Sequence, residues 1–376
     1  MSEERATILK GAKKILVKLG SGVLTGDDGL DLDIISNLVD EISVYSKKGF
    51  HFVLVSSGAI ASGRHRMGFT ETLKNLPQKQ AAAAVGQGRL MRVYSNAFGR
   101  HGLVTAQILL TMSDLTDRQR FLNTRNTLST IMEWGVIPII NENDTVSVDE
   151  IKFGDNDNLA AIMATITEAN LLINLTNTEG LYDRDPRKPG KSHLISLVTE
   201  ITDQITVAAS SEADATGMGG MKSKVLAAGK VTASGIPCII AHGKKAGILG
   251  DILSGKETGT LFLPTAQHLK SKKCWIAFTL RSRGKIVIDR GAEDAIIHQG
   301  KSLLPSGIVR IEGDFGIGDP VTCMNEEGAS IAKGLVNYSS SEIDRIKGLN
   351  TSRIQKVLGD KPYDEVIHRD NMAVSI

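Results

Sequence analysis

Short apolar runs alternate with longer amphipathic segments from the N-terminus to about Pro264. The longer segments have a helical period; residues 33–48, for example, place their apolar side chains three and four positions apart. This alternation predicts βαβ units, and therefore a three-layer α/β sandwich whose mostly parallel central sheet is covered by helices on both faces. The predicted strands are 15–19, 52–56, 104–110, 136–140, 171–175 and 237–241, and the predicted helices are 33–48, 78–99, 117–133, 158–168 and 221–234.

The pattern changes after residue 264, which predicts a domain boundary. Residues 1–264 form the α/β domain, 265–273 are a polar linker, and 274–376 are a small β-barrel-like domain with a C-terminal tail. A chain of 376 residues is also long for a single core. The strands predicted in the second domain are 274–280, 285–289, 307–312, 320–324 and 331–338, and the stretch from residue 340 is predicted to be helical and then irregular.

Charge and cysteine usage narrow the class of protein. The formal net charge of +2 gives no reason to expect nucleic-acid binding. The three cysteines form no C-x-x-C pair, so we expect neither disulfides nor zinc. The charged N-terminus has no signal-peptide core, and no apolar run is long enough to span a bilayer. We therefore expect a cytoplasmic protein without a membrane partner.

Carboxylates and carboxamides are concentrated at two turns of the α/β domain. One cluster, Asn141 to Asp144, follows a predicted buried strand; the other, Gly154 to Asn158, precedes a helix. Such clusters are unfavourable unless a cation lies nearby. In parallel sheets, ligands bind beyond the C-terminal ends of the strands, which is where these clusters are predicted to lie. The candidate cations are a substrate ammonium, lysines that bind phosphate, and Mg²⁺.

Two glycine-containing loops carry lysines that suit phosphate. Lys18 ends the first strand and is followed by Gly20-Ser21-Gly22, while three glycines and Lys222 and Lys224 surround the start of a later helix. The loops 56–63 and 175–183 are ambiguous: either could bind an anion or nucleotide, or serve only packing and connection. Neither a Walker A loop nor a dinucleotide-binding fingerprint is present. Taken together, the lysine loops and the acidic–amide clusters favour phosphoryl transfer to a small polar acceptor.

The segments VKLGSGVLTG, VSSGAIASG, INENDTVSVDEIKFGDNDNLAA, GLYDRDPR and GGMKSK resemble the amino acid kinase family. The C-terminal part resembles a PUA domain. The resemblance implies the amino acid kinase fold and ATP-dependent phosphorylation of the γ-carboxylate of L-glutamate, with Mg²⁺. The products would be L-glutamyl 5-phosphate and ADP, as in the first step of proline biosynthesis.

The resemblance also assigns roles to residues. Lys18 and Lys224 would contact the transferring phosphoryl group, and Asp157 would hold both lysines. No protein ligand to a metal is implied. The residues implied to bind glutamate are Ser57, Asn141, Asp144, Asp155 and Asn156, and those implied to bind ATP are Lys18, Gly20, Ser21, Thr176, Asn177, Met218, Gly219, Gly220, Met221, Lys222, Ser223 and Lys224.

Three positions depart from the family pattern. The family usually has Thr-Asp where this chain has Thr176-Asn177, so the carboxylate that would contact the nucleotide is absent here. Met218 replaces the family's threonine, and Lys222 adds a charge that many members lack.

The resemblance further implies feedback inhibition by proline, with residues 63–80 as the candidate segment, hand-off to glutamyl phosphate reductase, and a homo-oligomer, either dimer or tetramer. One alternative is a kinase of another small acid or of uridylate, although uridylate would need cations where this chain is acidic. Another is an RNA-binding protein acting through the basic runs 270–273 and 281–283 of the PUA-like domain. Such runs are more often a solvated face, and the favoured prediction remains the kinase.

Overall fold

The computed structural model describes residues 2–26, 29–71, 73–147, 156–210, 220–265 and 271–374. The chain divides into two compact units, Met1–His268 and Leu269–Ile376. None of the described helices combines the length and apolar character needed to cross a membrane.

An eight-stranded sheet forms the centre of the first unit, in the order β5-β6-β4-β1-β7-β9-β10-β8. The six strands from β5 to β9 are mutually parallel, whereas β10 pairs antiparallel with β9 and parallel with β8. The strands are β1 (Lys14–Leu19), β4 (His51–Ser56), β5 (Thr105–Leu110), β6 (Ile137–Glu142), β7 (Leu171–Thr176), β8 (Leu197–Val198), β9 (Cys238–His242) and β10 (Thr260–Phe262), and a separate two-stranded ribbon is made by β2 (Thr25–Gly26) and β3 (Gly29–Leu30).

Helices cover both faces of this sheet. They are α1 (Ser2–Lys10), α2 (Ser21–Leu24), α3 (Leu32–Ser46), α4 (Ala59–Arg66), α5 (Leu76–Gly99), α6 (Met112–Thr116), α7 (Arg118–Glu133), α8 (Asn156–Ile166), α9 (Asp203–Ser210), α10 (Met221–Thr232) and α11 (Ile248–Leu253).

Alternating strand residues supply two separate cores. In β1, Val17 and Leu19 point into the core that contains α3 and α5, whereas Leu16 points into the core that contains α8 and α10. This is the period of two expected of strands covered on both faces. The three-layer sandwich predicted from the sequence is therefore present.

Helices α4 and α5 are in unusually close contact. A Cβ atom added at Gly63 would lie 1.8 Å from the Ala82 carbonyl oxygen, and one added at Gly86 would lie 1.9 Å from the Ala59 oxygen. Only glycine allows the two backbones to approach this closely. Since α4 begins directly after the end of β4, this contact fixes a helix next to that strand end.

The second unit contains a five-stranded sheet in the order β12-β11-β13-β14-β15. All neighbours are antiparallel except β11 and β13. Its elements are α12 (Ser271–Phe278), β11 (Gly284–Ile288), α13 (Arg290–Ile297), β12 (Ile308–Glu312), β13 (Pro320–Met324), β14 (Ser330–Leu335), α14 (Ser340–Ile346), α15 (Ile354–Leu358) and β15 (Met372–Val374).

The strand predicted at 274–280 is wrong, because these residues belong largely to helix α12. A short apolar run does not distinguish a buried strand from a buried helix. The Lys333 ammonium donates to the carbonyls of Ala277 and Leu280, at 2.9 and 3.0 Å, so a cation from β14 satisfies groups at the helix C-terminus. The helix begins at Ser271, inside the predicted linker 265–273, of which residues 266–270 lie outside the described part.

Candidate active site

Four neighbouring strands, β6, β4, β1 and β7, end at the same edge of the sheet. Each end carries polar residues singled out in the sequence. Lys18 lies in β1 one residue before its end, Ser57 follows β4, Asn141 lies near the end of β6, and Thr176 ends β7. Parallel strand order therefore brings together groups that are far apart in the chain.

Asp157 lies at the centre of a buried ionic cluster. Lys18 Nζ is 2.5 Å from Asp157 Oδ1, and Lys224 Nζ is 3.1 Å from Asp157 Oδ2. Asn174 Nδ2 donates to Oδ1 at 2.8 Å, and Ser223 Oγ donates to Oδ2 at 2.8 Å. One carboxylate thus contacts two ammonium groups, one from each predicted phosphate loop.

The cluster is almost completely removed from solvent, with exposures of 5%, 0% and 6% for the side chains of Lys18, Asp157 and Lys224. Burial alone would raise the pKa of the Asp157 carboxyl. The two ammonium groups outweigh burial, however, and hold that pKa well below its usual range. Asp157 is therefore an ionised partner for the lysines at neutral pH and is unsuited to act as a proton donor.

A second cluster, of carboxamides and hydroxyls, occupies the ends of β4 and β6 and the start of α8. Asn156 Nδ2 lies 2.9 Å from Ser57 Oγ, 3.0 Å from Asn141 Oδ1 and 3.3 Å from the Ser56 carbonyl oxygen. Asn156 is followed directly by Asp157, so the first turn of α8 links the amide cluster to the ionic cluster. We refer to Ser57, Asn141 and Asn156 as the amide cluster below.

Of the two remaining residues predicted to bind the acceptor, the structure describes only one. Asp144 lies half-buried in the turn after β6. Asp155 lies outside the described residues, as do Met218 and Gly219 of the predicted ATP loop. Their roles stay predictions.

The predicted ATP loops begin helices. Gly20 is the N-cap of α2 and its N–H donates to the Leu175 carbonyl at 3.2 Å, while Ser21 is exposed. Gly220 is the N-cap of α10, whose first turn contains Lys224. The unpaired N–H groups and dipole of a helix start favour an anion.

Two other predicted ATP residues on α10 point in different directions. Met221 packs into the core shared by α8 and α10, whereas Lys222 is exposed. The Met221 side chain is therefore buried in the core, while the Lys222 side chain is open to solvent.

Thr176 and Asn177 lie beside the first glycine loop. Thr176 Oγ1 donates to Asn177 Oδ1 at 3.3 Å, and a Cβ added at Gly22 would lie 3.5 Å from Asn177 Nδ2. The neutral side chain that replaces the usual family aspartate therefore packs against the loop that follows Lys18.

Three residues that the sequence analysis does not single out contact these clusters or the adjacent Ser56. Asn174 lies within the apolar strand predicted at 171–175, where a lone asparagine in a buried run is a signal of a polar partner. Gln87 and Tyr94 lie on α5, where Asn141 Nδ2 donates to Gln87 Oε1 at 3.0 Å and the Tyr94 hydroxyl lies 2.9 Å from Ser56 Oγ. Their seven-residue spacing marks one stripe of a helix.

The fold and this site define the class of protein. A family model described as the amino acid kinase family matches residues 13–242, so the chain belongs to that family. A model described as the PUA domain matches residues 284–358. Both domain types predicted from the sequence are confirmed.

Several curated proteins are similar to this chain over nearly its whole length. A glutamate 5-kinase from Syntrophus aciditrophicus is 65% identical over 374 residues, covering 100% of this chain and 97% of the relative. Glutamate 5-kinases from Geobacter metallireducens and Syntrophotalea carbinolica are 50% and 49% identical, each over 98% of this chain. A solved structure of carbamate kinase from Giardia lamblia bound to AMP-PNP is similar in fold, with a TM-score of 0.51 and 19% identity over 68% of this chain and 100% of that one.

Proposed function

We propose that this protein is an ATP-dependent glutamate 5-kinase, which transfers the γ-phosphoryl group of ATP to the γ-carboxylate of L-glutamate. The observation that carries the proposal is the position of Asp157 between Lys18 and Lys224, directly beside the amide cluster. The names of the full-length curated relatives support the same activity.

The chemistry needs no general base. A free side-chain carboxylate has a pKa of about 4.3, so the nucleophile is already ionised at neutral pH. One of its oxygens forms a bond to the γ-phosphorus as the bond from that phosphorus to the β,γ-bridging oxygen breaks. The electron pair of the broken bond remains on ADP, and glutamyl 5-phosphate and ADP leave.

The main barrier is electrostatic, because an anionic nucleophile must approach a polyanionic donor. Lys18 and Lys224 offset that repulsion, and Asp157 keeps both ammonium groups oriented towards one point. Phosphoryl transfer of this kind depends mainly on positioning and charge neutralisation.

The acceptor is bound by groups that complement its charged ends. We assign Ser57, Asn141, Asp144, Asp155 and Asn156 to glutamate; the carboxylates would pair with its α-ammonium. The second domain would then not be needed for recognition of the small acceptor.

The donor site is formed by the two glycine loops and the end of β7. We assign Gly20, Ser21, Thr176, Asn177 and the loop 218–224 to ATP. Mg²⁺ would accompany ATP as its usual counter-ion, with phosphate oxygens among its ligands. Among the described residues, no group of three or more His, Cys, Asp or Glu side chains is arranged to hold a metal ion.

The proposal extends to the cellular role. We infer a cytoplasmic homo-oligomer, either dimer or tetramer, which is inhibited by proline through residues 63–80 and supplies an acyl phosphate to glutamyl phosphate reductase. We also infer that residues 1–264 carry the kinase activity, that 265–273 connect the domains, and that 274–376 are the PUA-like domain. RNA contact by that domain is a separate candidate property, favoured only by the domain match.

The direct test uses the full-length protein with ATP, Mg²⁺ and hydroxylamine, which traps acyl phosphates as hydroxamates. We expect hydroxamate from glutamate and little from aspartate, acetylglutamate or UMP. Absence of hydroxamate with glutamate, in a preparation that is folded, would contradict the proposed function.

A further inference from the structure

Helix α5 presents a row of three polar side chains to the acceptor side of the site. Gln80, Gln87 and Tyr94 are seven residues apart, so they lie along one stripe of the helix, about 21 Å from end to end. Gln80 Nε2 donates to the Ser147 carbonyl at 2.9 Å. Gln87 contacts Asn141, and Tyr94 contacts Ser56. One helix outside the recognised motifs therefore contacts three elements around the amide cluster.

Two backbone groups fix which way the carboxamides of this cluster point. The Glu142 N–H donates to Asn141 Oδ1 at 2.9 Å, and a backbone N–H can only donate, so this atom must be the Asn141 oxygen. The Ser56 carbonyl can only accept, so the Asn156 atom 3.3 Å from it must be the nitrogen. The contact between Asn141 Oδ1 and Asn156 Nδ2, at 3.0 Å, agrees with both assignments.

With its oxygen occupied by Glu142 and Asn156, Asn141 must direct its NH₂ group towards α5. The Gln87 carbonyl oxygen accepts from that group at 3.0 Å. Without this acceptor, the NH₂ group of the buried Asn141 would lose its partner, and the reversed carboxamide would place two N–H groups opposite each other at Asn156.

We propose that Gln87 is a positioning residue that holds the Asn141 carboxamide in the orientation set by the Glu142 N–H and, through Asn141, helps to place Asn156 and Ser57 for the acceptor. The inference rests on the proposed function. It assigns to α5 a part of acceptor recognition that the strand-end motifs do not contain.

The orientation determines what remains for a ligand. Asn156 uses its NH₂ group towards Ser57, Asn141 and Ser56, so its carbonyl oxygen is the atom left to accept a hydrogen bond. Ser57 Oγ accepts from Asn156, and its own proton has no acceptor among the described residues. An acceptor from one amide and a donor from one hydroxyl match an amino acid, which carries both an ammonium and carboxylates.

The test compares Gln87→Leu, Gln87→Glu and the control Asn96→Leu in the full-length protein. Asn96 lies on the same helix, is exposed, and makes no side-chain hydrogen bond with the described residues. We expect Gln87→Leu to raise the KM for glutamate roughly five- to fifty-fold, with the KM for ATP changed less than about twofold. Gln87→Glu keeps an acceptor opposite Asn141, so its KM should lie much closer to that of the wild type, and Asn96→Leu should match the wild type.

A double-mutant cycle separates positioning from a general effect on the helix. If Gln87 acts through Asn141, adding Gln87→Leu to Asn141→Ala should change kcat/KM for glutamate by less than about twofold. A full Gln87→Leu effect in the Asn141→Ala background would overturn the inference. So would equal KM values for the Leu and wild-type proteins, or equal losses in the Leu and Glu variants. Failure of the proposed function would be recognised separately, because the wild type itself would then give no hydroxamate from glutamate.

Discussion

Lys18 Nζ lies 2.5 Å from Asp157 Oδ1, and the other oxygen of the same carboxylate lies 3.1 Å from Lys224 Nζ. The three side chains together carry one net positive charge. Two cations that would otherwise repel each other are therefore held side by side before any nucleotide arrives. Under the proposed function, an arriving phosphate would meet preoriented ammonium groups and would require less rearrangement of the protein.

Replacement of Lys224 tests its role in the transition state. We expect Lys224→Ala to reduce kcat by about a hundredfold or more while the KM for glutamate changes little, because the lysine neutralises charge on the transferring group. Steady-state kinetics with varied glutamate and saturating ATP measure both constants. Lys10→Ala removes an exposed lysine at the end of α1 and should behave as wild type. An unchanged kcat in Lys224→Ala would refute the assignment.

Replacement of Asp144 tests the division between acceptor and donor sites. Asp144→Ala should chiefly raise the KM for glutamate, because it removes an anionic partner for the substrate ammonium. Loss of a paired charge in a partly buried site costs about 3 kcal/mol, or roughly a hundredfold in affinity. Kinetics with each substrate varied in turn provide the measurement. A rise confined to the KM for ATP would show that this turn serves the donor instead.

Replacement of Asp157 tests the ionic cluster through stability. Asp157→Asn leaves two buried lysines without their shared carboxylate, so the free energy of unfolding at pH 7 should fall by about 3–5 kcal/mol. Urea denaturation of both proteins measures this difference.

The pH dependence of that difference has a defined sign. The pKa of Asp157 is lower in the folded protein than in the unfolded chain, so its stabilising contribution is complete above the unfolded pKa of about 3.9. It is lost as the pH falls below about 4 towards the folded pKa. The gap between wild type and Asp157→Asn should therefore be constant from pH 5 to 7 and shrink below about pH 4. A gap that widened on acidification would contradict an ionised Asp157.

Two glycines of α5 give a matched test of the contact with α4. Gly86→Ala would place a methyl group 1.9 Å from the Ala59 oxygen, so one of the helices must move, and we expect destabilisation by several kcal/mol. Gly88→Ala meets no atom within 4 Å and should stabilise the helix by about 0.5–1 kcal/mol. Thermal and urea unfolding compare the two variants. Equal effects at both positions would argue against the close contact.

The strand–helix order of the first domain was predictable because its strands are buried on both faces and its helices on one. The strand predicted at 171–175 is Leu171–Thr176 in the structure. In the second unit, the strand predicted at 320–324 is Pro320–Met324. The prediction failed at 274–280, where residues 274–278 belong to helix α12 instead of a strand. Local sequence there is compatible with both states, and packing within the second unit decides.

The sequence singles out residues of the candidate site only where they lie in recognisable loops. Lys18 and Lys224 follow from glycine-rich phosphate loops, but their shared contact with Asp157 depends on strand order and helix position. Gln87 lies within the predicted helix 78–99, outside the strand-end and glycine-loop motifs, so no local pattern marks it as part of the candidate site. The orientations of Asn141 and Asn156 depend on backbone groups of Glu142 in β6 and Ser56 in β4, and the sequence alone does not show that these two strands are neighbours.

The ionic cluster joins residues from both ends of the first domain: β1, the start of α8, the middle of β7 and the first turn of α10. During synthesis from the N-terminus, Lys18 and Asp157 leave the ribosome well before Lys224. A nascent chain therefore has no complete phosphate site until α10 has been made and has docked. The long sequence separation of these contacts also favours slow formation of the cluster, so we expect the cluster to form only after most of the first domain has been synthesised.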